Sequence, residues 1–321
     1  MILCVGEAVI DMFQKTVPGP GDVFMPIPGG CSYNTSIAIG RLDVPAAFLG
    51  RLSKNFFGEI QVNRLKENNV NCDFLIRSDQ NSILAIIKTE ENKQPQYAFY
   101  NEGTSDSFLS VDDLPAQLPD DVTCIVFGSI SMNMEPIAST IETFILREAA
   151  NKKVISFDPN IRPFMIKDRD SYVKHFNKWA EVSTIAKVSS EDFEFIYPGT
   201  EPENALRKML DSGTRLAIAT LGEEGAIALL RRYDGNITKV KAPGVHIPAI
   251  ADTVGAGDTF HGAFLAFLDQ RNKLSHNEIA CLSETDLYDA LFFANKAAAI
   301  VCTRHGAEPP TLAEMNNLCV K

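Results

Sequence analysis

The sequence predicts an α/β fold: a mostly parallel sheet covered by helices on both faces, with a small β-layer projecting from it. Three observations carry this. From about residue 120 onward, short β-branched or aromatic runs alternate with stretches of helical periodicity. Two segments in the first third break that rhythm. The 321 residues are 45% hydrophobic and 22% charged, enough to bury a sizeable core without disulfide or metal staples. That length suits one large domain or two modest ones. No long linker, low-complexity tract or internal repeat divides it, so a single domain spanning 1–321 with a β appendage is expected.

Strands are expected near residues 2–5, 46–49, 84–87, 96–100, 124–127, 154–157, 185–188, 216–220 and 226–230. The first lies in MILCVGEAVIDMF, an apolar stretch without a basic leader and interrupted by Glu7 and Asp11. It reads as a strand, not a signal peptide. Helical spacing falls at 34–42, 58–68, 136–151, 201–212, 259–269 and 286–303. Between Thr16 and Pro28 stand Pro18, Gly19, Pro20, Gly21 and Pro26, too many breakers for a helix. Residues 81–108 read as two strands around the polar turn 90–94. Segments 12–28 and 81–108 together form the expected appendage.

Charge and cysteine usage narrow the partners. Lys plus Arg number 30 and Asp plus Glu 41, a formal charge of −11. Such a chain does not grip nucleic acid or an anionic membrane over a broad face, though a local phosphate pocket remains allowed. No apolar run approaches the roughly 20 residues that span a bilayer. The seven cysteines are scattered, with no C-x-x-C pair, and the five histidines show no metal-spaced pair. Buried free thiols in a reducing cytoplasm are expected. The sequons at Asn34 and Asn236 read as chance matches there.

The strongest motif is Asp252-Thr253-Val254-Gly255-Ala256-Gly257-Asp258-Thr259-Phe260. Phe260, Ala263, Phe264, Phe267 and Leu268 behind it share one helical face, so the glycine loop opens into a helix. A helix start offers unpaired N–H groups and partial positive charge, and glycine admits an anion close to the backbone. The loop is therefore a phosphate cradle. An aspartate there also suits capping alone. A dinucleotide fingerprint would need glycine where Phe260 stands, and P-loop and protein-kinase motifs are absent.

Four weaker signals accompany it. Gly29-Gly30-Cys31-Ser32-Tyr33-Asn34 precedes a helix and is either a ligand-admitting diglycine or an ordinary capped turn. Glu7 and Asp11 flank the first strand and suit sugar hydroxyls or a solvated turn. Phe157-Asp158-Pro159-Asn160-Ile161-Arg162 follows a strand, its arginine aimed at an anion or paired on the surface. Thr220-Leu221-Gly222-Glu223-Glu224-Gly225 is a hairpin turn or a nucleotide-edge loop. Most lie just beyond C-terminal strand ends, where open α/β sheets bind ligands.

These residues resemble the PfkB family of carbohydrate kinases, the ribokinase-like family. Asp252 to Phe260 is similar to its signature D-T-x-G-A-G-D-x-F, and Gly29 to Asn34 to G-G-x-x-x-N; the likeness runs from GEAVIDM to TRHGAEPPT. GEAVIDM, FDPNIRP and KVSSEDFEF most resemble bacterial fructokinases, with 2-keto-3-deoxygluconate kinases close by. The resemblance implies a doubly wound, three-layer α/β/α domain with a β-sheet lid. It implies that Asp258 takes the proton of the acceptor hydroxyl, and that the N–H groups of Gly255, Ala256, Gly257 and Asp258 form the anion hole, with Arg162 near acceptor and phosphates. Asp11, Gly29, Gly30, Asn34, Asn101 and Arg162 would hold the sugar. Lys187, Ser189, Thr220, Gly222, Gly225 and Asn295 would line the nucleotide site. ATP with Mg2+ is the implied cofactor, and Asp252 would help hold a monovalent cation such as potassium.

Three departures stand out. Ser189-Ser190-Glu191-Asp192 replaces the magnesium-organising N-x-x-E, with Ser for Asn and Asp for Glu. Cys31-Ser32-Tyr33 replaces a small Ala-Pro-Ala, so bulky Tyr33 is expected to reshape the sugar pocket. Asn101 stands where many fructokinases carry a lid arginine. The expected function is an ATP-dependent sugar kinase acting on a terminal hydroxyl, with fructose as the sugar. A 2-keto-3-deoxygluconate kinase is the alternative, and a non-catalytic sugar sensor the alternative of another class. The apolar run Ile83-Leu84-Ala85-Ile86-Ile87 in the lid leads to an expected homodimer through that sheet.

Overall fold

The structure is a computed structural model and describes residues 1–17, 19, 21–88, 96–247 and 249–317. In chain order its first elements are β1 (Ile2–Val5), β2 (Val9–Thr16), β3 (Asp22–Gly29), α1 (Cys31–Arg41), β4 (Ala46–Ser53), α2 (Phe56–Glu67), β5 (Val70–Asn71), β6 (Leu75–Ser78), β7 (Ile83–Lys88) and β8 (Gln96–Tyr100). Next come β9 (Cys124–Gly128), α3 (Ile137–Ala150), β10 (Val154–Asp158), α4 (Arg169–Val182), β11 (Ile185–Ser189), α5 (Ser190–Ile196), α6 (Pro202–Ser212) and β12 (Leu216–Thr220). The chain closes with β13 (Ala226–Arg231), β14 (Ile237–Ala242), α7 (Ala256–Gln270), α8 (His276–Ala280), α9 (Glu284–Val301) and α10 (Leu312–Asn317).

The large sheet runs β14-β13-β12-β11-β10-β9-β1-β4-β5, with β6 also on β4. Its strands from β12 to β6 pair in parallel. β9 and β10 (CIVFG and VISFD) are buried throughout, which is why they read as unbroken apolar runs. Alternate side chains feed two cores. Ile2 and Cys4 join a cluster with Phe260, Phe264 and Leu291 from α7 and α9, whereas Leu3 and Val5 join one with Phe144, Phe176 and Leu206 from α3, α4 and α6. This is the expected three-layer, doubly wound arrangement. The order reverses at β1, between β4 on one side and β9 on the other, and such a switch point opens a ligand crevice at the strand ends.

β13 and β14 are antiparallel: the short 221–225 turn returns the chain beside β12 as a hairpin, leaving no length for a crossover helix. One sequence expectation needs correction: MILCVGEAVIDMF is two strands. β1 belongs to the large sheet, and β2 starts a second sheet, ordered β3-β2-β7-β8. Pro26 and Pro28 are tolerated because β3 is an edge strand of that sheet. Residues 12–28 and 81–108 supply most of the second sheet; the turn at 90–94, like Pro18 and Pro20, lies outside the described residues. Elements absent from the sequence reading include α4, whose Tyr172, Phe176, Trp179 and Ala180 form its buried stripe, and β14.

Candidate active site

The glycine loop enters the crevice at the N-terminus of α7. Gly255 caps the helix in the left-handed region (φ 76°). A Cβ there would sit 2.5 Å from the Ala307 Cβ, so both conformation and packing call for glycine. Among the described residues, the N–H groups of Gly255, Gly257 and Asp258 have no protein acceptor, whereas Ala256 N donates to the Thr253 carbonyl at 3.2 Å. Three free donors therefore face the crevice, where the sequence led us to expect four. Behind the loop, Asp252 accepts from Val254 N and Gly306 N, both at 3.0 Å. Glu308 pairs with Arg41 (2.8 Å) and Arg64 (2.7 Å), tying this rear segment to α1 and α2.

Asp258 is buried, and Asn34 Nδ2 donates to its Oδ2 at 2.8 Å across 224 residues of sequence. Burial is the main force raising its pKa; Asn34 and the Cys31 thiol stabilise the carboxylate, and the Asp158 charge opposes it. The buried Asn34 Oδ1 has no partner and remains free to accept. Gly30 (φ 113°) starts α1, because a side chain there would meet the Glu7 carbonyl at 2.7 Å.

Two cavities meet at this loop, sharing Asn160, Thr253 and Gly257. The first, about 370 Å³, is lined on one side by Asp11, Ile87 and Phe99 of the second sheet and on the other by Gly30, Asn34, Arg162 and Asp258. Burial is the first cause lifting Asp11 to about 7; Arg162 works against it, and Asp258 and Asp252 work with it. Gly29 lies outside the lining, but a Cβ on it would be 2.5 Å from Asp11 Oδ2, so it makes room for that carboxylate. Arg162 Nη1 is held by Asn160 Oδ1 at 2.7 Å.

The second cavity, about 470 Å³, holds Lys187, Ser189, Thr220, Gly222, Gly225 and Asn295, with Val245, Ile247, Ile250 and Ala298 giving it an apolar wall. Asn295 Nδ2 donates to the Pro243 carbonyl at 3.0 Å, fixing the end of β14. Gly225 (φ 95°) allows the hairpin to approach Ala242, whose carbonyl would be 2.3 Å from a Cβ. Lys187 Nζ pairs with Asp158 Oδ2 at 3.0 Å, almost fully buried, and a Cβ on Gly257 would lie 3.0 Å from that ammonium. Burial alone would lower its pKa, but Asp158 and Asp192 outweigh it and carry it up to about 12. A cation thus stands beside Gly257 of the loop. His261 backs the pair, Nδ1 3.8 Å from Asp158, kept neutral mainly by burial, which lowers its pKa to about 3.

Two expectations change here, and one departure finds its role. Tyr33 does not reach the sugar-side cavity: its ring is in the core against Phe48, and its hydroxyl donates to the Gln61 carbonyl at 2.8 Å. Asn101 lines neither cavity, its amide turned to Met134 Sδ at 3.3 Å. Asp192 is occupied as a structural acceptor from Ile161 N (2.8 Å) and Ser189 N (3.2 Å), completing a capping box for α5. Glu191, exposed, borders the larger cavity beside it. The sequence reading also passed over Asn160, Asp158 and Cys31 as site residues. Asn160 and Asp158 sat inside FDPNIRP, from which only the arginine was drawn; Cys31 stood between the glycines and Asn34.

Comparison with known proteins settles the family. The profile described as pfkB family carbohydrate kinase matches residues 1–314. This chain belongs to the pfkB family of carbohydrate kinases. A fructokinase of Rhizobium leguminosarum bv. trifolii is 38% identical over 287 residues, covering 89% of this chain and 85% of that protein. Among solved structures, Xylella fastidiosa fructokinase with bound ATP has a TM-score of 0.87 at 23% identity, covering 98% of this chain and 96% of that one. Aminoimidazole riboside kinase of Salmonella enterica, bound to its riboside and an ATP analogue, reaches 0.81 at 24% identity with 98% coverage of both chains. Kinases of this fold are thus named for different acceptors. No described helix of this kinase is long and apolar enough to cross a membrane.

Proposed function

We propose that this kinase transfers the γ-phosphoryl group of ATP to a terminal hydroxyl of fructose. The observation that carries the proposal is the meeting of two cavities at one glycine loop, with Asp258 on the smaller side and Lys187 on the larger. Fructose occupies the smaller cavity, its hydroxyls met by Asp11, Gly30, Asn34 and Arg162. Asp258 accepts the hydroxyl proton, the new oxygen–phosphorus bond forms as the bond to the bridging oxygen of ADP breaks, and ADP departs. The N–H groups of Gly255, Gly257 and Asp258, with Lys187 beside Gly257, stabilise the charge on the transferring group. Adenosine lies against the apolar wall near Val245 and Ala298, and Asn295, Thr220, Gly222 and Gly225 shape that end. When bound, Mg2+ would neutralise phosphate charge; Glu191, which borders this cavity and accepts from Ser190 Oγ at 3.2 Å, would hold it through water. For a monovalent cation such as potassium, Asp252 would offer the lone pairs left after its two backbone bonds.

On this reading the chain is one domain, and the second sheet is its lid, since Asp11, Ile87 and Phe99 close one wall of the sugar cavity. A second copy covers the outer lid residues Val23, Phe24 and Tyr100, which are exposed, and light scattering tests for that dimer. The free cysteines fit a reducing cytoplasm. ADP release from ATP over a panel of fructose, 2-keto-3-deoxygluconate, ribose and adenosine tests the function. Fructose should give the highest kcat/KM; preference for the keto acid would reassign the substrate, and sugar binding without ADP would mark a sensor.

A further inference from the structure

All four strand connections between the two sheets converge on one buried patch. The chain leaves β1 through Gly6, Glu7 and Ala8, returns from β3 through Gly30, crosses to β7 past Asn81, and comes back from β8 through Thr104 to Asp106. These crossings touch one another. Ser105 N donates to the Asn81 carbonyl at 2.8 Å, and Asn81 bridges Thr104. Gly30 has no room for a side chain beside the Glu7 carbonyl. Ser131 bonds the Glu7 carboxylate and accepts from Glu7 N at 2.9 Å. Asp106, 1% exposed, completes the patch: its Oδ1 accepts from Ala8 N at 2.9 Å, linking the outgoing crossing to the last returning one.

We propose that Asp106 is a positioning residue that sets the second sheet against the sugar cavity through its bond to Ala8. It lines neither cavity and touches no substrate position. The second sheet contributes Val9, Asp11, Ile87 and Phe99 to the smaller cavity and nothing to the larger. Misplacing that sheet therefore weakens sugar binding and leaves nucleotide binding alone. Burial, first of all, and the nearby Glu7 charge push Asp106 up to about 8, against the Ala8 bond, so at neutral pH it is chiefly a neutral acid and asparagine reproduces its acceptor.

The proposal rests on the smaller cavity being the sugar site. The experiment is steady-state ADP release by Asp106→Ala, Asp106→Glu and Asp106→Asn, varying fructose and ATP separately, with thermal unfolding alongside. Ala deletes the tie and Glu lengthens it by one methylene. Both should raise the fructose KM by about tenfold, the scale of one buried hydrogen bond, with the ATP KM within about twofold. Asp106→Asn should match the wild type. Should Asp106→Ala not fold, the Glu and Asn variants make the same comparison. Parallel rises in both KM values, an unchanged fructose KM in Ala and Glu, or an Asn variant that behaves like them would overturn the proposal. Absence of fructose-dependent turnover in the wild type would instead refute the functional reading beneath it.

Discussion

Replacing Lys187 with methionine separates the stability of the site from its chemistry. The ammonium is 3.0 Å from Asp158 Oδ2, with side-chain exposures of 4% and 1%. Its loss leaves a buried carboxylate without a counter-charge: the Asn160 N–H still donates to it at 3.2 Å, but Cys31 Sγ at 3.9 Å is a thiol kept protonated chiefly by burial, and His261 is neutral. Breaking one partner of such a pair costs about 3–5 kcal/mol, a large share of the roughly 5–15 kcal/mol that holds a folded domain. Lys187→Met should therefore lower the urea midpoint steeply. Adding Asp158→Asn removes the stranded charge and should restore most of the loss, because deleting both members of a buried pair is often close to neutral. Turnover should stay low in the double variant, since the cation beside Gly257 is still missing. The assays are urea unfolding followed by circular dichroism and ADP release at saturating substrates. A double variant as unstable as Lys187→Met would refute the charge-pair argument, and one with restored turnover would refute the catalytic part.

Two further predictions follow from the same geometry. Gly255→Ala must take up a left-handed conformation and press on Ala307, costing at least about 2 kcal/mol in unfolding measurements and dismantling the anion hole, so wild-type kcat there would contradict the assigned loop. Sugar hydroxyls donate to ionised Asp11, which titrates near 7, so kcat/KM for fructose should rise with pH through that value and level off above it. Asp258 must also be ionised and its pKa is raised too, so both groups act in the same direction. Asp11→Asn should remove the limb near 7 and leave the one belonging to Asp258.

Much of this molecule can be read before folding, and what escapes has identifiable causes. β9 and β10 announce themselves because both faces of a parallel sheet are covered, so the runs are almost wholly apolar. The Asp252–Phe260 loop is equally plain: glycine spacing and the apolar stripe behind it are local properties. β3 was hidden because prolines argue against strands except at an edge, and edge status depends on the whole sheet; β2, which holds no proline, was hidden because it follows β1 so closely that the two read as one strand. α4 was hidden because its apolar positions are few and its remaining surface strongly polar. Inside the site, pairings such as Asn34 with Asp258 or Lys187 with Asp158 join distant segments, and no spacing rule brings them together. Tyr33 shows the opposite error. It is one residue from Asn34, yet consecutive helix positions face different directions, so one side chain enters the core and the other the crevice.

Asp258, at the junction of the two cavities, is the group proposed to remove the proton from the sugar hydroxyl. The most direct measurement is fructose-dependent ADP release by Asp258→Asn, with fructose and nucleotide binding followed by calorimetry. Asparagine keeps the shape and can still bond Asn34, but it cannot take a proton. kcat should fall by about 10²–10⁴-fold, with both ligands still bound. Turnover near that of the wild type, with the protein folded, would contradict it.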